Sequence, residues 1–263
     1  MGPLKLSRII TLTTDFGTKD GYAGAVKGVI SSINPEAQIV DISHQVPARN
    51  ILSGAFCLLN AAPFYPQGTI HVAVVDPGVG GSRRPILVQT KRYCLVGPDN
   101  GIFDLVLEKD KVSCFIHLTN LDHFLGRVSA TFHGRDIFAP VAAYLSLGVK
   151  PDEFGVQIKK INKLSFPLVT KSAKKIVGEI IHIDNFGNLV SNVTWFELKQ
   201  AKESKIKIKN RVIPKISTTF SDVKSGEIVA YLGSSNLLEV GVNLGNAART
   251  LRAEVGDKIE IQL

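Results

Sequence analysis

The sequence predicts an α/β N-terminal domain with a central, mostly parallel sheet, followed by a smaller all-β, barrel- or sandwich-like C-terminal domain. Three observations predict this. In the first half, apolar runs end on an acid and a glycine turn and lead into helical periodicity. From residue 175 onward, six β-like runs alternate with turn residues: KIVGEIIHID, NLVSNV, SKIKIKN, EIVAYLG, LLEVGV and DKIEIQL. Between the halves, Pro151, Pro167 and a lysine-rich run break the pattern. The boundaries read as an α/β domain over residues 1–165, a linker over 166–174 and a β domain over 175–263.

Composition narrows the function. A chain of 263 residues with 44% hydrophobic content can bury a real core. Its net charge of +8 comes largely from lysines in the second half, as in KSAKK and KIKIKNR. No aromatic residues interleave with them, as a stacking platform for single strands would need, so no nucleic-acid partner is expected. The three cysteines Cys57, Cys94 and Cys114 are odd in number and widely spaced. This fits neither a disulfide framework nor a zinc site, and it suits a reducing compartment. Residues 1–8 lack the apolar segment of a signal peptide, and no stretch has the length of a membrane span. The expected location is therefore cytoplasmic, without a membrane partner.

Taken in order, RIITLTT (8–14) reads as a strand closed by Asp15, with Phe16 and Gly17 making the turn. KDGYAGAVKGVISSI (19–33) places Tyr22, Val26, Val29, Ile30 and Ile33 on one helical face. An acid at such a strand end points into the ligand crevice of an α/β sheet, where it can accept from a ribose diol; capping the helix is the alternative for Asp15. QIVDIS (38–43) is a second strand, with His44 just beyond it as a loop residue, and residues 50–64 form a buried helix.

TIHVAVV leads into VVDPGVGGSRRP (74–85). There Asp76 ends the strand, Pro77 stops the ladder, and Gly78, Gly80 and Gly81 allow close backbone approach before Arg83 and Arg84. A hairpin-like pair follows (86–90 and 93–97). GPDNGIF (97–103) is a turn cluster that should open a helix, with Asp99 and Asn100 as turn formers. SCFIHL is a strand. TFHGRDIFAPVAAYLSLG (131–148) then sets His133 in a glycine-containing loop at a helix entry, beside Arg135 and Asp136, which can pair with each other or cap the helix. In the β half, IDNFGN (183–188) gathers Asp184, Phe186 and Asn188 around a glycine turn. Residues 231–248 are rich in Gly, Ser and Asn, and the two loops together look like the polar wall of a small-molecule site.

TTDFG, VVDPGVG, GPDNGIF, TFHGRDIFAP and IDNFGN, in this order and spacing, resemble the S-adenosyl-L-methionine (SAM) hydroxide adenosyltransferases, which hydrolyse SAM to adenosine and L-methionine and are relatives of the SAM-dependent fluorinase and chlorinase. The resemblance spans nearly the whole chain. It implies a homotrimer whose active sites lie between the N-domain of one subunit and the C-domain of the next. It also implies an Asp–Arg–His set that handles water, which falls on Asp76, His133 and one of two adjacent arginines: Arg83, with Arg84 the alternative. Asp15 would bind the ribose hydroxyls, Phe16 would be a further substrate contact, and Asp184 and Ser234 would hold the methionine ammonium and carboxylate. Asn188 would read the adenine edge, Phe220 would stack on the ring, and Phe186, Glu239, Val242 and Asn243 would complete the pocket. No cofactor or metal is implied, since SAM is the substrate. A halogenase lacks the acid-and-histidine pair, so the expected activity is hydrolysis rather than halide transfer. A non-catalytic SAM- or adenosine-binding protein is the remaining alternative.

Overall fold

The structure, a computed structural model, describes residues 6–198 and 204–263. The first five residues, part of the stretch read above as lacking a leader, lie outside the described residues. The chain divides into two compact units, residues 1–165 and 166–263.

In unit 1 the chain runs β1 (Ile9–Thr14), α1 (Tyr22–Ile33), β2 (Gln38–Ser43), α2 (Ile51–Ala61), β3 (Ile70–Val74), β4 (Pro85–Thr90), β5 (Cys94–Pro98), α3 (Asp104–Leu107), β6 (Val112–Leu118), α4 (Ala139–Ser146) and β7 (Gly155–Ile158). The sheet order is β2-β1-β3-β5-β4-β6-β7. Strands β2, β1, β3 and β5 are parallel, and β4, β6 and β7 add on antiparallel. Period-two alternation explains the two-faced burial. Val72 and Val74 pack with Val26 and Ile30 of α1 and Val141 and Leu145 of α4 on one face. Ala73 and Val75 pack with Leu58 of α2 and with Ile102 and Phe103 on the other. The chain leaves β1 toward β2 and returns on the other side at β3. The crevice beyond the ends of β1 and β3 is therefore a topological switch point, the usual ligand position in such sheets. Asp15 and Asp76 stand just after those two strands.

Unit 2 comprises β8 (Thr170–Lys171), β9 (Lys175–Ile183), β10 (Leu189–Thr194), α5 (Trp195–Leu198), β11 (Ile206–Ile208), β12 (Arg211–Ile213), β13 (Ile216–Ser217), β14 (Ile228–Leu232), β15 (Leu237–Val242), α6 (Ala247–Leu251) and β16 (Lys258–Gln262). The sheet order is β12-β11-β16-β9-β10-β15-β14-β13, with β8 on β9. Strand β12 comes back beside β14, which curls the sheet into a nearly closed barrel around Ile180, Leu189, Ile208, Val240 and Ile261. Within residues 166–174, read above as a linker, Thr170 and Lys171 pair with Val177 and Ile176.

Three sequence expectations change. Tyr22 is 52% exposed rather than part of the buried face, because it opens α1 over the strand ends; the sheet-facing stripe is Ala23, Val26 and Ile30. The 97–103 cluster opens only a single helical turn, α3. Strands β7, β8, β12 and β13 were not anticipated; they are two to four residues long, too short to show alternation. Among the described residues no helix is long and apolar enough to cross a membrane, and no three His, Cys, Asp or Glu side chains converge as a metal-ligand group.

Candidate active site

The glycines of VVDPGVGG shape the first cluster. Gly80 has φ +75°, and a Cβ there would lie 2.1 Å from the Ala130 carbonyl. Only glycine permits both the turn and the approach, and through it the loop after β3 reaches the segment that delivers His133. His133 in turn sits at the mouth of a one-turn π-helix, Gly134–Phe138, which runs into α4. Such π-turns recur at functional sites because they re-aim side chains. From below, Asn100 Nδ2 donates to the Val75 carbonyl at 2.9 Å and buttresses the loop.

These loops bring Asp76, Arg83 and His133 into contact. Arg83 Nε donates to both Asp76 oxygens, at 2.9 and 3.0 Å, and Nη2 donates to Asp76 Oδ2 as well. Nη2 also lies 2.7 Å from His133 Nδ1. A guanidinium has only donors, so Nδ1 must offer its lone pair, and the proton of the neutral imidazole sits on Nε2. Burial, and then the adjacent Arg83 charge, hold the His133 pKa below its ordinary value. The Arg83 and Asp76 side chains are 9% and 6% exposed, and Phe138 lies under the guanidinium at 5.5 Å. Arg83 Nη1 is buried and has no acceptor among the described residues.

Arg84 goes elsewhere. It donates to the buried carboxylate of Asp99, at 2.8 Å from Nε and 2.5 Å from Nη2, and to the Lys160 carbonyl at 3.1 Å. Asp99 also accepts from the Asn162 N–H at 2.7 Å, so both Asp99 and Asn100 are engaged by their neighbours in unit 1. Arg135 pairs with fully buried Asp136, whose Oδ2 also accepts from the Ser129 N–H at 2.7 Å. Neither caps a helix.

Asp15 does not cap α1, which begins after Gly21. Its Oδ2 accepts from the Arg49 N–H at 2.8 Å. It borders a cleft of about 470 Å³ lined also by Phe16, Tyr22, Thr131, Phe132 and Arg135. The Phe16 ring packs on the backbone of Gly134, which ties the Asp15 turn to the segment beginning at His133. Phe132, missed from the sequence, meets Phe16 and Tyr22 edge-on at 5.6 and 5.2 Å.

Unit 2 holds a second cluster, at one end of its barrel. Asp184 Oδ1 accepts from the Phe186 and Asn188 N–H groups at 2.9 and 2.8 Å, and Oδ2 accepts from Asn188 Nδ2 at 2.8 Å. Asn188 Oδ1 and the Phe220 ring both crowd the open backbone of Gly241. Phe220 lies 4.6 Å from the ring of Tyr231, whose hydroxyl donates to Glu239 Oε2 at 2.9 Å. Burial pushes the Glu239 carboxyl up, Asp184 adds to the rise, and the Tyr231 bond opposes it. Ser234 is exposed in the β14–β15 turn, and Phe186 is 73% exposed. The Val242 side chain belongs to the core and Asn243 Nδ2 donates to the Val223 carbonyl at 2.8 Å; the Asn243 N–H donates to the Glu227 carbonyl, and the Asn243 and Val242 carbonyls accept from the Gly226 and Gly245 N–H groups. Tyr231 was not singled out from the sequence. Its pairing with Glu239 follows from the β14–β15 register, which places the two side by side.

Known proteins carry the same plan. Residues 10–155 match the SAM hydroxide adenosyltransferase N-terminal domain and residues 178–260 the C-terminal domain of that family. A protein of Methanocaldococcus jannaschii named (R)-S-adenosyl-L-methionine hydrolase is 39% identical over 267 residues, covering 96% of this chain and 95% of its own. One of the same name from Salinispora tropica is 37% identical over 255 residues, covering 96% and 97%. A crystal structure of a conserved Thermotoga maritima protein superposes with a TM-score of 0.89 at 36% identity, covering 96% of this chain and 99% of that one. Both halves of the sequence, both folded units and the full length of these relatives agree: the chain belongs to the SAM hydroxide adenosyltransferase family.

Proposed function

We propose that the protein hydrolyses SAM by attack of water on C5′ of the ribose, in line with the C5′–S bond: SAM⁺ + H₂O → adenosine + L-methionine + H⁺. The observation that carries this reading is the contact of Asp76, Arg83 and His133, with the buried Arg83 Nη1 left without an acceptor among the described residues. A buried guanidinium N–H needs an acceptor. An attacking oxygen held there would have its proton affinity lowered by a charge that cannot be neutralised. Two bases stand beside it, the His133 Nδ1 lone pair and the Asp76 carboxylate. Either becomes available when Arg83 Nη2 turns from it to the oxyanion. Methionine leaves as a neutral thioether and needs no general acid. Holding the oxygen in line with the breaking bond supplies much of the rate.

The remaining assignments belong to the same proposal. Asp15 takes the ribose hydroxyls, with Phe16 beside it. Asp184 and Ser234 take the amino-acid end. Asn188 reads the adenine edge and Phe220 covers its face, while Phe186, Glu239 and the backbone from Val242 to Asn243 close the pocket. The reaction needs no metal or cofactor. As the resemblance implies, each site of a homotrimer would combine unit 1 of one subunit with unit 2 of its neighbour. Incubation of the purified protein with SAM, with and without chloride and with EDTA, tests the proposal. Adenosine and methionine, formed equally in all three, are expected. A 5′-halo-adenosine, or loss of turnover with EDTA, would overturn it.

A further inference from the structure

The segment His44–Arg49 has no part in the reaction above, yet it is tied to the end of β1 at five points. His44 Nδ1 lies 2.7 Å from Thr14 Oγ1. The Gly17 N–H donates to the His44 carbonyl at 2.7 Å, and the Val46 N–H donates to the Thr14 carbonyl at 3.3 Å. Gln45 Nε2 donates to Thr18 Oγ1 at 3.0 Å, and the Arg49 N–H donates to Asp15 Oδ2 at 2.8 Å. Arg49 makes that last bond from φ +65°, a left-handed conformation that residues with a side chain rarely adopt. Strained backbone of this kind persists where its surroundings over-determine it, and it gathers at functional sites.

The histidine itself is 4% exposed, and it connects Thr14 to a carboxylate. Its Nε2 is 3.1 Å from Asp41 Oδ1, an ion-pair distance without hydrogen-bond geometry, while Asp41 Oδ2 takes Lys27 Nζ at 2.5 Å. A carboxylate at that distance repels a ring lone pair and attracts an N–H, which favours the imidazole proton on Nε2 and the lone pair on Nδ1. The Thr14 hydroxyl must then donate to Nδ1 and keep its own lone pairs for the Phe16 N–H, 3.3 Å away. The Asp41 charge, paired with Lys27, thus orients the hydrogen bonds that run from His44 through Thr14 to the backbone on either side of Asp15. Among the described residues Asp15 Oδ2 is held by Arg49, and no donor is bonded to Oδ1.

We propose that His44 is a positioning residue: acting through Thr14, and with the strained Arg49 N–H, it fixes the Asp15 carboxylate for an intact ribose diol that His44 itself never touches. The proposal rests on the reading of Asp15 as the ribose ligand. It predicts that a substitution remote from substrate changes how the enzyme weighs one substrate hydroxyl, which a merely structural residue would not do.

The test is the ratio of kcat/KM for SAM to that for its 2′-deoxy and 3′-deoxy analogues. The fraction of correctly folded protein cancels from this ratio. The wild type should favour SAM over at least one analogue by roughly 10- to 100-fold, the range of a hydrogen bond to a charged group, and Asp15→Asn should bring that ratio close to one. His44→Ala and Thr14→Val should lower it by about fivefold or more. The valine preserves the β-branched shape in the strand, so it serves even if His44→Ala folds poorly. His44→Asn, whose amide oxygen can replace Nδ1 as acceptor from Thr14, should restore most of the preference. Wild-type ratios in both His44→Ala and Thr14→Val, alongside a collapsed ratio in Asp15→Asn, would overturn the positioning role while leaving the ribose reading intact. A wild-type ratio near one for both analogues would overturn the ribose reading itself, and the positioning role with it.

Discussion

The three residues of unit 1 read as handling water are ionic and bonded mainly to one another, whereas the candidates of unit 2 gather around two aromatic rings and an amide. Asp76, Arg83 and His133 form one closed set on three loops of an α/β sheet. Asn188, Phe220, Tyr231 and Glu239 gather on antiparallel strands and their turns, with Asn188 and Tyr231 buried. The first arrangement suits a change of charge at one atom, since a buried ionic set stabilises developing charge without reorganising. The second suits recognition of a flat heterocycle by stacking and a hydrogen-bonded edge. One unit should therefore govern turnover and the other affinity, and kinetics can separate them.

The largest expected effect is at Arg83. Arg83→Lys removes the fork that joins Asp76 to His133 and the spare Nη1 donor, and kcat should fall by roughly 10²–10³. Arg84→Lys should stay within about threefold of wild type, because Arg84 serves Asp99. Initial rates at saturating SAM decide the matter, and equal losses at the two positions would erase the distinction.

Next is His133, where His133→Asn should lower kcat by roughly 10²-fold. Its pKa is lowered in the folded protein, so the neutral form persists below pH 6.5. Activity should be flat above that pH and lost as pH falls through the lowered pKa, because a second ring proton would face Arg83. A kcat–pH profile with its acid limb above 6.5 would contradict the geometry.

Smaller effects are expected in unit 2, and in KM. Phe220→Ala should raise KM by roughly 10-fold or more, the scale of base stacking, with kcat changed little. Tyr231→Phe removes the donor to Glu239 but keeps the ring against Phe220, and should raise KM by about fivefold. A large kcat loss in either variant would blur the division between the units.

The sequence made the strands visible wherever they are long enough to alternate, and it made the acids visible wherever they end such strands; Asp15 and Asp76 are both of this kind. It could not choose between Arg83 and Arg84, since two neighbours in one loop differ only in which carboxylate waits on each side, and Asp99 lies on a different strand end. His44 read as an ordinary loop residue because its hydrogen-bond partner Thr14 comes from β1, and only the parallel pairing of β1 with β2 brings the two together. Arg49 gave no signal at all, because its left-handed backbone is imposed from outside and arginine has no preference for it. Tyr231 and Glu239 sit on separate strands whose register is fixed by the whole barrel. What local pattern hides in each case is a long-range pairing.

The measurement that most directly tests the central claim is SAM turnover in H₂¹⁸O, with both products analysed by mass spectrometry. If the Asp76–Arg83–His133 set delivers water to C5′, the label will appear in the 5′-hydroxyl of adenosine and methionine will remain unlabelled. Label in the amino-acid product, or adenosine formed without it, would show that the bond broken is not the one at which these residues are proposed to act.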